Sequence, residues 1–425
     1  MARTIRVILA LSAIAAAAIV VPAAQAAWST KLIDGAGATA GCSTRTGDGI
    51  GEQAITAVYQ SQLNGFYYDY TAGDLRRVVL NGASCPPISV IDGAGGGGGR
   101  IAANVGQEPA ATTFGGNLHV FYYDRTHGNL RHAWFDGSTW HFEVVDGAST
   151  TGGRQNAKVG TWPSTAVLNN KLYVTYVNET SHMIRVATWN GTSWAFQTLD
   201  GQGGGGRVSL AATGGKLGFN TTAAVYGSKL HFFYFYEDPF CDPDEGCDIF
   251  GAIREARSSN GTSWTFANPA GFPAGGGVGG GINCCHDAQS LTTVPKTPTQ
   301  RMLVYENFGV HGSEPRDLIW TGTAWSGVGI IEDNFGSADL GFNASAVNFN
   351  GTVHVFYEGY GRADFDGPTD ATLTGAGWNI TQLDSLSLGA PTAATVFNGG
   401  IDVLLGKASA PGTFGGNDLV LARGP

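Results

Sequence analysis

Short stretches in which apolar and polar residues alternate recur along most of this chain, and turn-forming residues separate them. One clear unit runs through Leu118-His-Val-Phe-Tyr-Tyr-Asp124 and Asn129-Leu-Arg-His-Ala-Trp134 to Asp136-Gly-Ser-Thr-Trp140. Alternation with a period of two predicts half-buried antiparallel strands. The Asp-Gly and Asn-Gly steps predict tight hairpin turns between them, because these residues tolerate positive φ.

The same unit is repeated along the chain. The next copy reads Leu172-Tyr-Val-Thr-Tyr176, Ile184-Arg-Val-Ala-Thr-Trp189 and Asn190-Gly-Thr-Ser-Trp194, and an earlier copy contains Gly65-Phe-Tyr-Tyr-Asp69. Three looser copies follow further along the chain. The period is about 50 to 70 residues, which is close to one four-stranded propeller blade with its loops.

The two ends of the chain complement each other. Trp140 and Asp146 are six positions apart in a last strand, and Trp28 and Asp34 have the same spacing. Residues 27–35 are therefore predicted to form the last strand of a blade, without the first three strands of that blade before it. At the opposite end, three strands are predicted without a fourth: 391–397, 401–407 and 418–422. We expect an all-β fold, a seven-bladed β-propeller of four-stranded antiparallel blades, closed by pairing of the N-terminal strand with the C-terminal blade.

The first 26 residues have the features of a targeting segment. Arg3 and Arg6 precede an apolar run from Val7 to Val21, and Ala24-Gln25-Ala26 is a small-residue cleavage site. A membrane anchor is the alternative, but the apolar run is short for a span. We expect 1–26 to be a signal peptide, 27–425 to form a single propeller domain, and the protein to be secreted.

Composition narrows the possible partners. The 65 glycines, the 10 tryptophans and a charged fraction of only 14% suit a fold of strands and turns. A net charge of −10 argues against nucleic acid and against an anionic membrane surface as partners. No later stretch reaches the length of a membrane span. In an oxidising compartment the six cysteines favour disulfides, whose pairing stays open.

The loops predict which face of the propeller is functional. The crossovers between blades are long and rich in glycine, as in 92–100, 146–154 and 200–207, whereas the turns on the opposite face are short. A crossover shares its face with the loop between the second and third strands of a blade. Binding sites usually lie where long loops cluster on a rigid scaffold.

Polar residues converge on that face in several units. Acceptors end the second strands and arginines begin the third strands, which suits the hydroxyl groups of a sugar. The candidate ligand-binding residues are Asp69, Arg76, Asp124, Arg131, Asn178 and Arg185, together with Arg100, Arg154 and Arg207 from the crossovers. The structural alternative is that the acidic residues pair with the arginines across each loop, and that the crossover arginines tie the loops down.

The fourth and fifth units break the repeat. Cys241 and Cys247 bracket an acidic loop with four possible Ca²⁺ ligands, Asp242, Asp244, Glu245 and Asp248. An acidic turn closed by a disulfide is the alternative. Cys284-Cys285-His286-Asp287 contains residues that bind Zn²⁺ or Cu²⁺, but disulfides are the expected use of its cysteines.

The unit Phe-Tyr-Tyr-Asp, Leu-Arg and Asp-Gly-Ser-Thr-Trp resembles the repeats of propeller lectins, both the fungal fucose-specific type and the seven-bladed bacterial type. The resemblance covers nearly the whole mature chain. It implies sugar sites between blades, contacts from Arg76, Arg131 and Arg185, and a glycan or another small polar ligand as partner. The glycine-rich crossovers are not part of the lectin repeat.

The turns Asn190-Gly-Thr-Ser-Trp194 and Asn260-Gly-Thr-Ser-Trp264 also look like partial Asp boxes of sialidases, although the Arg-Ile-Pro signature and an arginine triad are missing. A glycoside hydrolase is therefore the second hypothesis, with a site near 284–306. Its first candidates are Asp287, Glu306, Glu358 and Tyr305. A third hypothesis, a protein-interaction platform, predicts a broad exposed apolar patch.

Overall fold

The computed structural model describes residues 28–35, 49–51, 53–242, 246–271, 282–283, 290–309, 312–333, 338–362, 366–383, 390–407 and 418–424. Within these ranges the chain is almost entirely β-structure. The helical segments found there are one 3₁₀ turn, Thr151–Gly153, and one α-helical turn, Leu210–Thr213. Neither is long and apolar enough to cross a membrane.

The strands form seven four-stranded antiparallel units, called blades 1 to 7. Blade 1 contains Ile55–Tyr59, Gln62–Asp69, Asp74–Leu80 and Ile88–Asp92. Blade 2 contains Val105–Phe114, Asn117–Asp124, Asn129–Phe135 and Trp140–Asp146. Blade 3 contains Val159–Leu168, Lys171–Asn178, Met183–Trp189 and Trp194–Asp200. A short hairpin, Gln202–Gly204 with Arg207–Ser209, lies in the next crossover.

The fourth to sixth blades are longer and less regular. Blade 4 contains Lys216–Tyr226, Lys229–Asp242, Gly246–Ser258 and Thr265–Gly271, and Ile282–Asn283 adds a short edge pairing. Blade 5 contains Leu291–Pro295, Arg301–Gly309, Gly312–Trp320 and Trp325–Ile330. Blade 6 contains Asp339–Phe349, Thr352–Tyr360, Gly367–Thr374 and Gly377–Gln382. A single parallel bridge from Ser313 to Asp339 joins blades 5 and 6.

Blade 7 closes the ring with both ends of the chain. Its strands Ala390–Phe397, Gly400–Lys407 and Asp418–Gly424 are completed by Ser29–Gly35, which pairs antiparallel with the C-terminal strand. The first strand of each blade contacts the first strand of the next, and blade 7 contacts blade 1 in the same way. The predicted seven-bladed propeller and its mode of closure are confirmed.

The hydrophobic core is divided among the interfaces between blades. Each of the seven apolar clusters draws its residues from two consecutive blades, and one of them joins Ile33 and Leu404 of blade 7 to Leu63 and Tyr67 of blade 1. Burial of apolar surface therefore holds each blade to its neighbours. The N-terminal strand contributes to this core as well as to the sheet.

The short turns of the opposite face form as the sequence predicts. Asp136 accepts hydrogen bonds from the backbone N–H groups of Ser138 and Thr139, both at 2.8 Å. The following Gly137 has a φ of 100°, which an L-residue adopts only with strain. Local side-chain bonding and glycine together fix these hairpins.

Candidate functional site

The predicted arginines form clamps between blades. In each clamp an aspartate at the end of one blade accepts a hydrogen bond from a tyrosine of the next blade and forms an ion pair with an arginine of that blade. Asp146, for example, accepts a hydrogen bond from Tyr176 Oη at 2.7 Å and another from Arg185 Nε at 3.0 Å. The other clamps of this composition are Asp34 with Tyr67 and Arg76, Asp92 with Tyr122 and Arg131, and Asp200 with Tyr234 and Arg254.

The same arginines also hold the glycine-rich crossovers. Arg131 donates from Nη2 to the carbonyl of Gly99 at 3.1 Å, and Arg185 donates to Gly153 at 2.8 Å. Arg131 is only 4% exposed and Arg185 only 3% exposed. A sugar that used these guanidinium groups would have to displace existing partners, so contact with a sugar stays a prediction for Arg76, Arg131 and Arg185.

The crossover arginines tie down their own loops. Arg154 Nε donates to the Val145 carbonyl and Arg207 Nε to the Leu199 carbonyl, both at 2.8 Å. Their guanidinium groups also lie over aromatic rings, 5.9 Å from the centroid of Phe196 and 5.3 Å from that of Phe266. Arg100 donates to the Ala94 carbonyl at 2.9 Å. These contacts give the arginines a structural role, and ligand contact stays a prediction.

The acceptors at the ends of the second strands shape their own loops. Asp69 accepts from the backbone of Thr71 and Ala72, Asp124 from that of His127, and Asn178 from that of Ser181. Asp69 also pairs with Arg76 at 3.3 Å. By contrast, Arg131 and Arg185 use acids of the preceding blade. The predicted pairing of acid and arginine within a unit is therefore present in blade 1, and the other two arginines pair across the blade interface instead.

The described candidate catalytic residues belong to blades 5 and 6. Tyr305 and Glu306 are adjacent in one strand, so their side chains point to opposite faces of blade 5. Glu306 is fully buried, and burial raises the pKa of the Tyr305 hydroxyl to about 12. Glu358 lies in blade 6 and accepts from the Tyr360 hydroxyl. Asp287 lies outside the described residues.

The candidate metal sites fall mainly outside the described residues. This applies to Asp244 and Glu245, to Cys284, Cys285 and His286, and to the side chains of Asp242 and Asp248. The backbone register places Cys241 directly opposite Cys247 in the long hairpin of blade 4. Cys85 is disulfide-bonded. The pairing of the remaining cysteines stays a prediction.

A different set of residues surrounds the propeller axis. Among the described residues, five that are not glycine lie six positions before the last residue of the first strand of their blade and have positive φ, with values between 50° and 54°. This axial ring consists of Gln53, Glu108, Trp162, Asn220 and Asn343. Asn tolerates positive φ, but this conformation is uncommon for Gln and Glu and a marked outlier for Trp, and such strain concentrates at functional sites.

A glycine two positions earlier brings each of these segments close to the neighbouring blade. The φ of Gly106 is 104° and that of Gly160 is 112°. A Cβ atom on Gly160 would lie 2.6 Å from the Cα of Leu130, and one on Gly106 would lie 2.7 Å from the Cα of Leu75. Register shifts follow these glycines, for example between Thr161 and Ser164, and they mark a bulge in the strand.

Hydrogen bonds link members of the axial ring from blade to blade. Gln53 Oε1 accepts from the backbone N–H of Glu108 at 3.1 Å, and Glu108 Oε2 accepts from that of Trp162 at 2.5 Å. Thr221 then donates its hydroxyl to the carbonyl of Trp162 at 2.6 Å. Each bond joins one blade to the next, so the bulged segments position each other.

The axial ring lines a cavity of about 400 Å³ on the propeller axis. Every blade contributes to its wall, through residues 53–56, 108–111, 162–165, 220–223, 291–292, 343–346 and 393–395. The ring residues lie near the start of the first strands of their blades and therefore towards the face of the crossovers. This is the face that the loop lengths predict to be functional. The wall combines carboxamides, hydroxyls, one carboxylate and one indole.

Glu108 is the ionisable side chain among the described wall residues. Loss of hydration raises the pKa of its carboxyl from 4.5 to about 7, the nearby Glu179 adds to the rise, and the N–H of Trp162 opposes it. Sequence reasoning missed this residue and the whole axial ring. The signal was the repeated Gly-x-Gln/Glu/Trp/Asn triplet, seen in Gly51-Glu-Gln53 and Gly160-Thr-Trp162.

The raised pKa predicts a pH dependence of stability that belongs to Glu108. Because its pKa is higher in the folded chain than its ordinary value of 4.5, this contribution is fully present below pH 4.5 and is lost as the pH rises through 7. The loss reaches at most about 3 kcal/mol. Glu108→Gln keeps an acceptor for Trp162 and should remove this component. Urea unfolding from pH 4 to 8 measures the free energy of unfolding of the wild type and of Glu108→Gln. If this free energy depended on pH in the same way in both proteins, the prediction would be refuted.

No protein-family model matches this chain, and no curated protein matches its sequence. Solved structures are similar in fold. The SapL1 lectin in complex with α-methyl fucoside has a TM-score of 0.42 and 18% identity, over 79% of this chain and 95% of that chain. The chain is thus similar to a lectin, and propeller lectins are the class that its sequence repeats resemble.

Glycoside hydrolases have similar folds as well. The catalytic domain of a Coprinopsis cinerea GH62 α-L-arabinofuranosidase has a TM-score of 0.39 and 12% identity, over 79% of this chain and 94% of that chain. The Hadza microbial sialidase Hz136 has a TM-score of 0.42 and 13% identity, over 86% and 74% respectively. These similarities concern the fold alone, which a lectin and hydrolases share.

Proposed function

We propose that this protein is a secreted carbohydrate-binding propeller whose main ligand site is the axial cavity. The observation that carries the proposal is the axial ring, in which five backbone positions with positive φ hold a carboxylate, an indole and three carboxamides around one cavity. Carboxylates accept hydrogen bonds from sugar hydroxyls, and carboxamides both donate and accept. An aromatic side chain beside such polar groups is typical of ligand pockets.

The proposal puts one main site in each chain. The lectin-like repeats instead predict several equivalent sites between blades, with contacts from Arg76, Arg131 and Arg185. Those guanidinium groups are engaged in clamps, whereas four of the axial ring residues are half-buried and Asn343 is exposed. Titration calorimetry separates the two arrangements, because an axial site gives one ligand per chain and sites between blades give several.

Secretion is part of the proposal and rests on residues 1–26 as a signal peptide. Cleavage before Ala27 would leave the strand Ser29–Gly35 intact, and this strand completes blade 7. Trp28, beside the cleavage site, packs edge-on against Phe356 with ring centroids 5.6 Å apart. The mature N-terminus would therefore be built into the closed ring.

A glycoside hydrolase is the second candidate, because Glu108 has the raised pKa that a general acid needs. Hydrolysis usually requires a second carboxylate about 5 to 9.5 Å away. Glu108 is the carboxylate found among the described wall residues, and the nearby Glu179 accepts from the Thr161 hydroxyl and does not belong to that wall, which favours binding over hydrolysis. Release of nitrophenol from aryl glycosides by the wild type, and its loss in Glu108→Gln, would reverse this preference.

The test of sugar binding is Trp162→Asn. Asparagine tolerates positive φ and is the residue of the equivalent positions 220 and 343, so the variant should fold normally. Loss of the indole should weaken sugar binding about tenfold, which corresponds to about 1.4 kcal/mol. A glycan array identifies the sugar, and calorimetry measures the loss.

The matched control is Trp134→Asn, which removes a partly buried tryptophan near the turns of the opposite face. It should leave sugar affinity unchanged. Absence of binding to every glycan by the wild-type protein would overturn the proposed function. Equal losses in the two variants would show that the sugar does not use the axial cavity.

A further inference from the structure

The wall of the axial cavity has an unbalanced charge. Among its described residues there is one carboxylate, that of Glu108, and no lysine, arginine or histidine. The other polar groups nearest to it are carboxamides and hydroxyls, whose oxygen atoms accept hydrogen bonds. The chain as a whole carries a net charge of −10, so no general positive field offsets this carboxylate.

Glu108 lines the cavity, and one oxygen of its carboxylate has no hydrogen-bond donor among the described residues. Oε2 accepts from the backbone N–H of Trp162, whereas Oε1 receives no hydrogen bond from the described residues. Oε1 is not completely enclosed by protein atoms. Glu179, whose carboxylate accepts from the Thr161 hydroxyl, adds a second negative charge nearby.

Trp162 supplies an aromatic side chain to the wall of the same cavity. Its backbone N–H is bonded to Glu108, so the two residues are fixed relative to each other across the interface of blades 2 and 3. An indole face attracts cations through its quadrupole, typically by about 0.5 to 2 kcal/mol. A carboxylate, an indole and carboxamide oxygens together form a site for an organic cation.

We infer that the axial cavity selects sugars that carry a free, protonated amino group, with the ammonium bound between Glu108 and Trp162. This inference rests on the proposed function and specifies its ligand. The sugar hydroxyls bond to the carboxamides of Gln53, Asn220 and Asn343, and the ammonium supplies the positive charge that the wall lacks. N-acetylation would remove the charge and add bulk, so acetylated sugars bind more weakly.

Protonation of Glu108 gives an independent readout. The pKa of the Glu108 carboxyl is about 7 because the group has lost hydration and because Glu179 is close. Tyr123 is a further titratable side chain near both acids, and their charges raise the pKa of its hydroxyl. An ammonium beside the carboxylate favours its ionised form and lowers this pKa. Binding at pH 6.5 should therefore release protons, and calorimetry in buffers of different ionisation enthalpy detects the release.

The experiment compares glucosamine, N-acetylglucosamine and glucose oligomers of equal length by calorimetry at pH 7. The amino sugar should bind at least tenfold more tightly than the other two, and the preference should weaken in 0.5 M salt. Glu108→Gln should reduce the preference to less than threefold without abolishing binding of the neutral sugar. Glu143→Gln, a change outside the axial cavity, is the matched control and should keep the preference.

The outcomes separate this inference from the proposed function. Binding of all three sugars with similar affinity, weakened by Trp162→Asn, would overturn the amine preference and leave the axial sugar site standing. A preference for the amine that survives Glu108→Gln would also overturn the inference. Binding of simple diamines as tightly as the amino sugar, or of no sugar at all, would overturn the proposed function itself.

Discussion

Replacing Asp146 by alanine is expected to destabilise the chain by about 3 to 5 kcal/mol. Asp146 is fully buried and accepts hydrogen bonds from the Tyr176 hydroxyl, from Arg185 Nε and from the backbone N–H groups of Gly147 and Gln155. The substitution leaves the buried guanidinium of Arg185 without its acid. It also removes the acceptor that ties the crossover to blade 3, so the interface of blades 2 and 3 should loosen.

Equilibrium unfolding in urea measures this loss. Asp136→Ala is the matched control, because it removes an aspartate that also accepts two backbone N–H groups but lies exposed in a hairpin turn. Its effect should be much smaller. If Asp146→Ala does not fold at all, Asp146→Asn, which keeps two backbone acceptor contacts, should fold with an intermediate loss. Equal losses for Asp146→Ala and Asp136→Ala would contradict the clamp.

The clamp also explains how the ring closes. Asp34, in the N-terminal strand, accepts from Tyr67 of blade 1 at 2.7 Å and pairs with Arg76 at 3.3 Å. The N-terminal strand therefore supplies the same acid to blade 1 that Asp146 supplies to blade 3. Closure thus combines sheet pairing, apolar burial and a buried polar clamp at a single interface.

The blades and their closure could be predicted from the sequence because their signals are local. Alternating apolar residues, Asn-Gly turns and the spacing from Trp28 to Asp34 each act within a few residues. The role of the arginines could not be predicted in the same way. Asp146 and Arg185 are 39 residues apart and meet only because consecutive blades pack face to face. The sequence repeats both residues, but repetition alone does not say which copies pair.

The axial ring was missed for a different reason. Its members share a backbone conformation, whereas their side chains differ in size, charge and aromaticity, as Glu108 and Trp162 show. Comparison of side chains therefore aligns them poorly. The glycine two positions earlier is the common element, but in a chain with 65 glycines it is a weak signal without the strand register.

Replacing Gly160 by alanine is the substitution expected to disturb the axial cavity most. Its φ of 112° is unfavourable for alanine, and the new Cβ would lie 2.6 Å from the backbone of Leu130, which cannot move without shifting blade 2. The backbone strain alone costs about 1 to 3 kcal/mol. The steric contact adds to this, so we expect a total loss above about 3 kcal/mol and displacement of Trp162 from the cavity wall.

Gly191→Ala separates the effect of backbone strain from that of the steric contact. Gly191 has a similar φ of 96°, but a Cβ atom there would meet nothing within 4 Å, so only the backbone strain applies. Thermal and urea unfolding of both variants should show the larger loss for Gly160→Ala. Sugar binding should fall only in Gly160→Ala, because Gly191 lies in a hairpin of the opposite face. Equal stability losses would show that close packing of the first strands does not position the axial ring, and the bulge would then have to be maintained by the hydrogen bonds from Gln53 to Thr221 alone.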